Sequence, residues 1–263
     1  MNPPTRLEPI LSDVRRRLSE RKALVSFDTL LDQAGELADG RDLFCAALRK
    51  PGLSIIAEHK RKAPSSGPLS IRTLDETVAL YEQGGASAMS VLTEEDHFDG
   101  RLADLKRAST SSLPCIRKDF IVDPYMIAEA KVHGASAVLL LANVLNDEEI
   151  AAFCALAHDL GLAVLLETHD ASELDRALKQ DADAIGVNAR DLKTFQIDLN
   201  EALHLLAGIP SDFIKIAESG VHQQGDAIRC FEAGADAALV GTSLMRAEDP
   251  ISLLGALTDF SGA

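Results

Sequence analysis

Eight short apolar runs recur along this 263-residue chain, each followed by a stretch with helical spacing. They are LSIIAE (53–58), SAMSVL (87–92), LPCIRK (113–118), SAVLLLA (136–142), AVLLET (163–168), DAIGVN (183–188), FIKIAES (213–219) and DAALVG (236–241). The runs are nearly continuous in apolar residues rather than alternating, as strands buried on both faces of a parallel sheet are. Small-residue turns sharpen the pattern: GASA at 85–88, GASA at 134–137, DADA at 181–184 and GADA at 234–237 lead into the second, fourth, sixth and eighth runs. Their starts are 49, 47 and 53 residues apart, about two strand–helix units each. A repeated turn before alternate strands predicts a closed α/β architecture, a (β/α)8 barrel. The competing arrangement is an open doubly wound sheet, and the absence of GxGxxG after the first run weighs against it.

The intervening segments read as amphipathic helices. NDEEIAAFCALAHDLG (146–161) opens at an Asn cap and closes at Gly, and DASELDRALKQ (170–180) opens at Asp170. The first 45 residues fall outside the eight units. PILSDVRRRLSERKALVSFDTLLDQA (9–34) reads as helical, with Ile10, Leu11, Val14 and Leu18 on one face. The expected organisation is one barrel domain over residues 1–263, with 1–45 as an added N-terminal helical extension packed on it.

Composition narrows the function. Hydrophobic residues make up 46% and charged residues 25%, enough apolar material for a full core. Acidic residues number 41 against 26 basic, a net charge of −15, which argues against binding to nucleic acid or anionic membrane. The N-terminus has no apolar signal core, and no run approaches the ~18 apolar residues of a membrane span. The four cysteines, Cys45, Cys115, Cys154 and Cys230, form no CxxC pair and read as reduced core thiols. A cytoplasmic protein, monomeric or weakly homo-oligomeric, is expected.

Against that acidity, SIIAEHKRKAP (54–64) sets Lys60, Arg61 and Lys62 at the mouth of the first strand. In a (β/α)8 barrel the C-terminal strand ends converge on one rim, where chemistry is done. Those ends carry Glu58 and Lys60 in strand one, Arg117, Lys118 and Asp119 in strand three, and Glu167 in strand five. Strand six adds Asn188 and Arg190, strand seven Glu218 and Ser219, strand eight Gly241 and Thr242. Strands two and four end blandly. Period-two alternation puts Glu58 and Lys60 on one side and turns His59 away. The set is a mixed acid–base site; no strand end pairs histidine with a carboxylate, so no metal is expected. No GxSxG nucleophile elbow occurs either. ESGVHQQGDAI (218–228) and VGTSLMRAEDP (240–250) place Gly220 and Gly241 between strand and helix, where backbone N–H groups can approach an anion.

The chain resembles the indole-3-glycerol phosphate synthase family. The resemblance rests on IIAEHKRKAPSSG (55–67), SVLTEEDHFDG (90–100), RKDFIVDPYMI (117–127), LLETHDASELDRAL (165–178), IGVNARDLKTFQIDL (185–199), AESGV (217–221) and LVGTSLMRAEDP (239–250). It implies cyclisation of the anionic sugar phosphate 1-(2-carboxyphenylamino)-1-deoxyribulose 5-phosphate, with loss of carbon dioxide and water, in tryptophan biosynthesis and without cofactor. It further implies that Lys118 is the general acid, Glu167 the catalytic carboxylate and Lys60 a catalytic and phosphate-binding lysine. Glu58, Asn188 and Glu218 match the other polar catalytic positions. Phe120, Arg190 and Ser219 match substrate contacts, and Gly220, Gly241 and Thr242 the phosphate site. Two departures stand out: Ala63 replaces the usual serine of the first loop, where Ser65 or Ser66 would have to compensate, and Ala189 follows Asn188.

Three other activities compete for the same fold. A Schiff-base aldolase would use Lys118 or Lys60 as an amine nucleophile. A sugar-phosphate isomerase would need fewer ionisable groups than this rim supplies. A non-catalytic phosphometabolite-binding barrel is favoured only by Ala63.

Overall fold

The structure, a computed structural model, describes residues 7–63, 67–69, 72–191 and 196–260. Eight strands form the barrel: β1 (Ser54–His59), β2 (Ala88–Leu92), β3 (Cys115–Lys118), β4 (Ala137–Leu141), β5 (Ala163–Thr168), β6 (Ala184–Asn188), β7 (Ile214–Glu218) and β8 (Ala237–Val240). All neighbours pair in parallel and the ring is closed, with β1 bonded both to β2 and to β8. The closing register runs Ser54↔Ala237 to Ala57↔Val240, so the open-sheet alternative is excluded.

Alternation along each strand divides the core in two. Inward residues such as Ile56, Ile116, Leu139, Leu165, Ile216 and Leu239 fill the barrel interior. Outward residues such as Ile55, Val91, Val138 and Val164 join the larger core beneath the helices. This double burial is why the runs read as continuously apolar.

The 9–34 stretch, expected as one helix, is two: α1 (Leu7–Leu24) and α2 (Phe27–Gly35). Ser26 interrupts them because its Oγ accepts from the Thr29 N–H at 3.1 Å, a side-chain cap that starts a new helix. Ile10, Leu11, Val14 and Leu18 are all buried, as their spacing required. A third helix, α3 (Arg41–Leu48), carries Phe44 and Leu48 into the N-terminal end of the barrel interior. Each side chain so buried stabilises by roughly 1.5–3 kcal/mol. That plug seals the end opposite the rim; Ser54 Oγ ties it to β1 through the carbonyls of Ala47 and Leu48.

The remaining helices return the chain between strands: α4 (Leu74–Gln83), α5 (Leu102–Ala108), α6 (Pro124–Val132), α7 (Asp147–Asp159), α8 (Ala171–Ala177), α9 (Leu199–Ala207), α10 (Gln224–Glu232), α11 (Thr242–Arg246) and α12 (Pro250–Thr258). Asn146 opens α7 with a full capping box to Glu149, and Asp170 caps α8. In the turns before β2, β4 and β8, Gly85, Gly134 and Gly234 sit at φ 78°, 81° and 89°, a region that costs other residues about 1 kcal/mol. A two-stranded hairpin, Lys62–Ala63 against Gly67–Pro68, follows β1. Ser65 and Ser66 lie outside the described residues. Among the described residues, no helix is long and apolar enough to cross a membrane.

Candidate active site

A cavity of about 460 Å³ opens at the C-terminal ends of the strands. Its apolar lining includes Leu92, Leu139, Leu141, Phe98 and Phe120, with the two phenyl rings 6.1 Å apart. The bland ends of β2 and β4 thus supply a surface for a flat apolar group. Lys118 of β3 rises between these two strands, with Leu92 as its register partner, and the carboxylates come from β1, β5 and β7.

At its centre Lys118 Nζ donates to Glu167 Oε2 at 2.6 Å and to Glu218 Oε2 at 2.7 Å. β3, β5 and β7 bring these three together from positions 49 and 100 residues apart. Asn188 Nδ2 donates to the other Glu167 oxygen at 2.9 Å, and its own Oδ1 accepts the Arg190 N–H at 3.0 Å. Lys60 Nζ donates to Glu58 Oε1 beside this group. Register explains the clustering: Glu167 sits beside Gly186, and Asn188 beside Glu218. A Cβ on Gly186 would collide with Glu218 Oε1, and one on Gly241 with Glu58 Oε1. Both glycines therefore make room for carboxylates.

Burial sets the protonation states. Glu58, Glu167 and Glu218 are only 2–3% exposed. Burial opposes the charge on Lys118, but the carboxylates of Glu167, Glu218 and Glu58 outweigh it and raise the ammonium above its ordinary range. Burial also opposes ionisation of Glu167, yet Lys118 and His169 hold its carboxyl well below the usual range. Glu218 goes the other way: burial, then repulsion by Glu167, lifts it to about 8. Its Oε1 is buried without a hydrogen-bond partner. At neutral pH the cluster therefore holds one ionised carboxylate, one ammonium and one carboxylic acid.

Phe120, Arg190, Ser219, Gly220, Gly241 and Thr242 also line the cavity. Ser219 and Gly220 take successive positive φ values of 64° and 82°, turning the chain sharply at the end of β7. Thr242 begins α11 one residue after β8, which pairs with β1, the strand that Lys60 follows.

Not every residue at a strand end faces this site. Arg117 points outward and is 1% exposed; it bonds Asp119 Oδ2 and Glu129 Oε2, each at 2.9 Å. Period-two alternation separates it from Lys118. Asp119 lines the cavity but anchors structure: its Oδ1 accepts the Phe120 N–H at 2.8 Å. His59, also outward, is buried, and burial lowers its pKa to about 4.

The expectation that no strand end pairs histidine with a carboxylate fails at β5. His169 Nε2 lies 3.2 Å from Glu167 Oε1, without hydrogen-bond geometry. Residues two apart on a strand share a side, so alternation carried past Thr168 would have found it. Phe98 and Arg246 also line the cavity unforeseen. Arg246 stands four residues after Thr242, one helical turn on, whereas Phe98 lies in a loop with no register to read.

The model of the family "Indole-3-glycerol phosphate synthase" matches residues 7–257. An indole-3-glycerol phosphate synthase of Mycobacterium avium is 43% identical over 254 residues, 95% of this chain and 92% of that protein. One from Rhodococcus jostii is 44% identical over 248 residues, 94% and 92% of the two chains. Among solved structures, 3-hexulose-6-phosphate synthase from Salmonella typhimurium superposes with a TM-score of 0.64 at 15% identity, covering 78% of this chain and 97% of its own. At that identity the likeness concerns the fold.

Proposed function

Because this chain belongs to the indole-3-glycerol phosphate synthase family, we propose that it closes the pyrrole ring of 1-(2-carboxyphenylamino)-1-deoxyribulose 5-phosphate, with Lys118 and Glu167 as acid and base. The supporting observation is the ion cluster of Lys118, Glu167 and Glu218 in a cavity that two neighbouring phenyl rings also line. The arylamino ring would lie against Phe98 and Phe120, which brings the ring carbon bearing the carboxylate towards the sugar carbonyl.

The chemistry has two halves. As the ring carbon bonds to the carbonyl carbon, Lys118 donates a proton to the developing alkoxide. The C–CO2 bond then breaks, its electrons restore the aromatic ring, and carbon dioxide leaves. In the second half the new hydroxyl takes a proton and departs as water, while the neighbouring CH2 gives up a proton to Glu167. Glu218, still protonated at neutral pH, is the second acid available for the departing hydroxyl. Asn188 holds Glu167 in place, and Glu58 orients Lys60. Gly220, Gly241, Thr242 and Lys60 would bind the phosphate, with Arg190 and Ser219 completing the substrate contacts. Lys60, Lys118 and Arg190 thus form a basin that attracts an anion into an acidic protein.

A Schiff base on Lys118 is disfavoured by the same geometry. The ionised Glu167 carboxylate keeps the amine protonated, and an ammonium has no lone pair with which to attack a carbonyl. A cytoplasmic setting belongs to this reading and is supported by four free cysteines, three of them buried.

Lys118→Ala tests the assignment. The rate of indole-ring formation followed by fluorescence should fall by at least about 10²-fold, as loss of a general acid commonly costs about 10²–10⁴. A variant that keeps near-parental turnover would remove Lys118 from the mechanism.

A further inference from the structure

His169 is held between two carboxylates. Its Nδ1 lies 3.1 Å from Glu173 Oε2, and its Nε2 lies 3.2 Å from Glu167 Oε1. The Glu173 oxygen also accepts the His169 backbone N–H at 2.8 Å, which fixes the base of the ring. All three side chains are largely buried, with 16%, 11% and 4% of Glu173, His169 and Glu167 exposed. A neutral imidazole has one N–H and would turn the lone pair of its other nitrogen towards a carboxylate. An imidazolium carries N–H on both nitrogens and sets positive charge beside both acids, its contact with Glu167 being an ion pair without hydrogen-bond geometry.

We propose that His169 is a positioning residue for Glu167: a protonated imidazole, wedged between Glu173 and Glu167, that fixes the Oε1 edge of the reactive carboxylate and keeps it ionised. Asn188 shares that edge, which leaves Oε2 to Lys118. The groups facing the imidazole are Glu167 of β5, Glu173 of α8 and the uncharged Asn143, whose Nδ2 lies 3.5 Å from Nδ1. Glu167 itself faces Lys118 from β3 and Asn188 from β6, with the protonated Glu218 of β7 beside them. The charge balance agrees. Burial opposes protonation of His169, but Glu167 and Glu173 overcome it and lift its pKa to about 10. Glu167 then meets a cation on each side, a stronger hold than Lys118 alone supplies.

The proposal rests on Glu167 being the catalytic base, and the experiment separates the two. In His169→Gln the amide can still donate, but the charge is gone. Ionisation of Glu167 then becomes harder, so its pKa rises and the acid limb of kcat against pH moves upward. A shift of at least about one pH unit is expected, a tenfold loss of kcat on the acid side. KM should change less than about threefold. Glu173→Gln should move the limb the same way by less. In the parent enzyme, imidazole NMR should show His169 still protonated at pH 8.

A neutral imidazole at that pH overturns the proposal, as does a loss of kcat equal at every pH. An unmoved limb alongside an inactive Glu167→Gln enzyme overturns this proposal alone. An active Glu167→Gln enzyme overturns the role of Glu167 and this proposal with it.

Discussion

Replacing Glu218 by Gln should stabilise the protein at pH 8 and have no such effect at pH 4.5. In the folded chain, burial and the charge of Glu167 hold the Glu218 carboxyl protonated up to about 8, against 4.5 for an ordinary glutamate. Between those values the folded state keeps a proton that the unfolded chain gives up. Stability therefore declines as pH rises from about 4.5 to about 8, because deprotonation favours unfolding. At about 1.4 kcal/mol per pH unit the full gap corresponds to roughly 5 kcal/mol. Relaxation and water entry on ionisation reduce it, so a gain of about 1–3 kcal/mol is expected for the neutral amide at pH 8. The amide also matches the acid in shape, which matters where Gly186 leaves no room for a larger group. Urea unfolding of both proteins at pH 4.5 and pH 8 measures the difference. For a chain of this size the gain also raises Tm by roughly 2–4 °C per kcal/mol. An amide variant less stable at pH 8, or one whose advantage is the same at both pH values, would refute the raised pKa. Turnover should fall at the same time, an ordinary exchange of stability for function.

Gly186→Ala puts a Cβ into Glu218 Oε1 and 3.1 Å from Leu165 Cδ1, so the carboxylate must move. A displacement near 1 Å should lower kcat by about 10²-fold; steady-state kinetics within threefold of the parent would show that Glu218 needs no fixed seat. Arg117→Met leaves the buried acids Asp119 and Glu129 without their shared cation, although Arg21 Nε still reaches Glu129 at 2.7 Å. A loss of about 3 kcal/mol in urea unfolding is expected, and a loss below about 1 kcal/mol would mean the cluster is not holding the loop after β3.

Local pattern was enough for much of this architecture. Each apolar run became a barrel strand within a residue or two, because a strand buried on both faces must be apolar along its length. The rim was legible for the same reason: in a parallel barrel every strand ends at the same face, so Glu58, Lys118, Glu167, Asn188 and Glu218 could be gathered by position alone. The N-terminal helices were read less well. The apolar stripe of α1 was visible, but the capping bond at Ser26 that divides it from α2 competes only weakly with a continuous helical pattern. Arg117 beside Lys118 shows a different limit. Both are basic residues at one strand end, and only the in-and-out alternation of β3, set by its pairing with β2 and β4, sends one into the cavity and the other beneath α6.

The amino-acid order by itself determined how many strands form the barrel, where each stops and which polar groups stand at the rim, since these follow from periodicity over a handful of neighbours. It could not determine which of those groups carry protons. That depends on separations of 2.6 and 2.7 Å between side chains 49 and 100 residues apart. Only closure of the ring brings Glu167 and Glu218 onto one ammonium, and buried there two chemically identical acids divide into a carboxylate and a carboxylic acid.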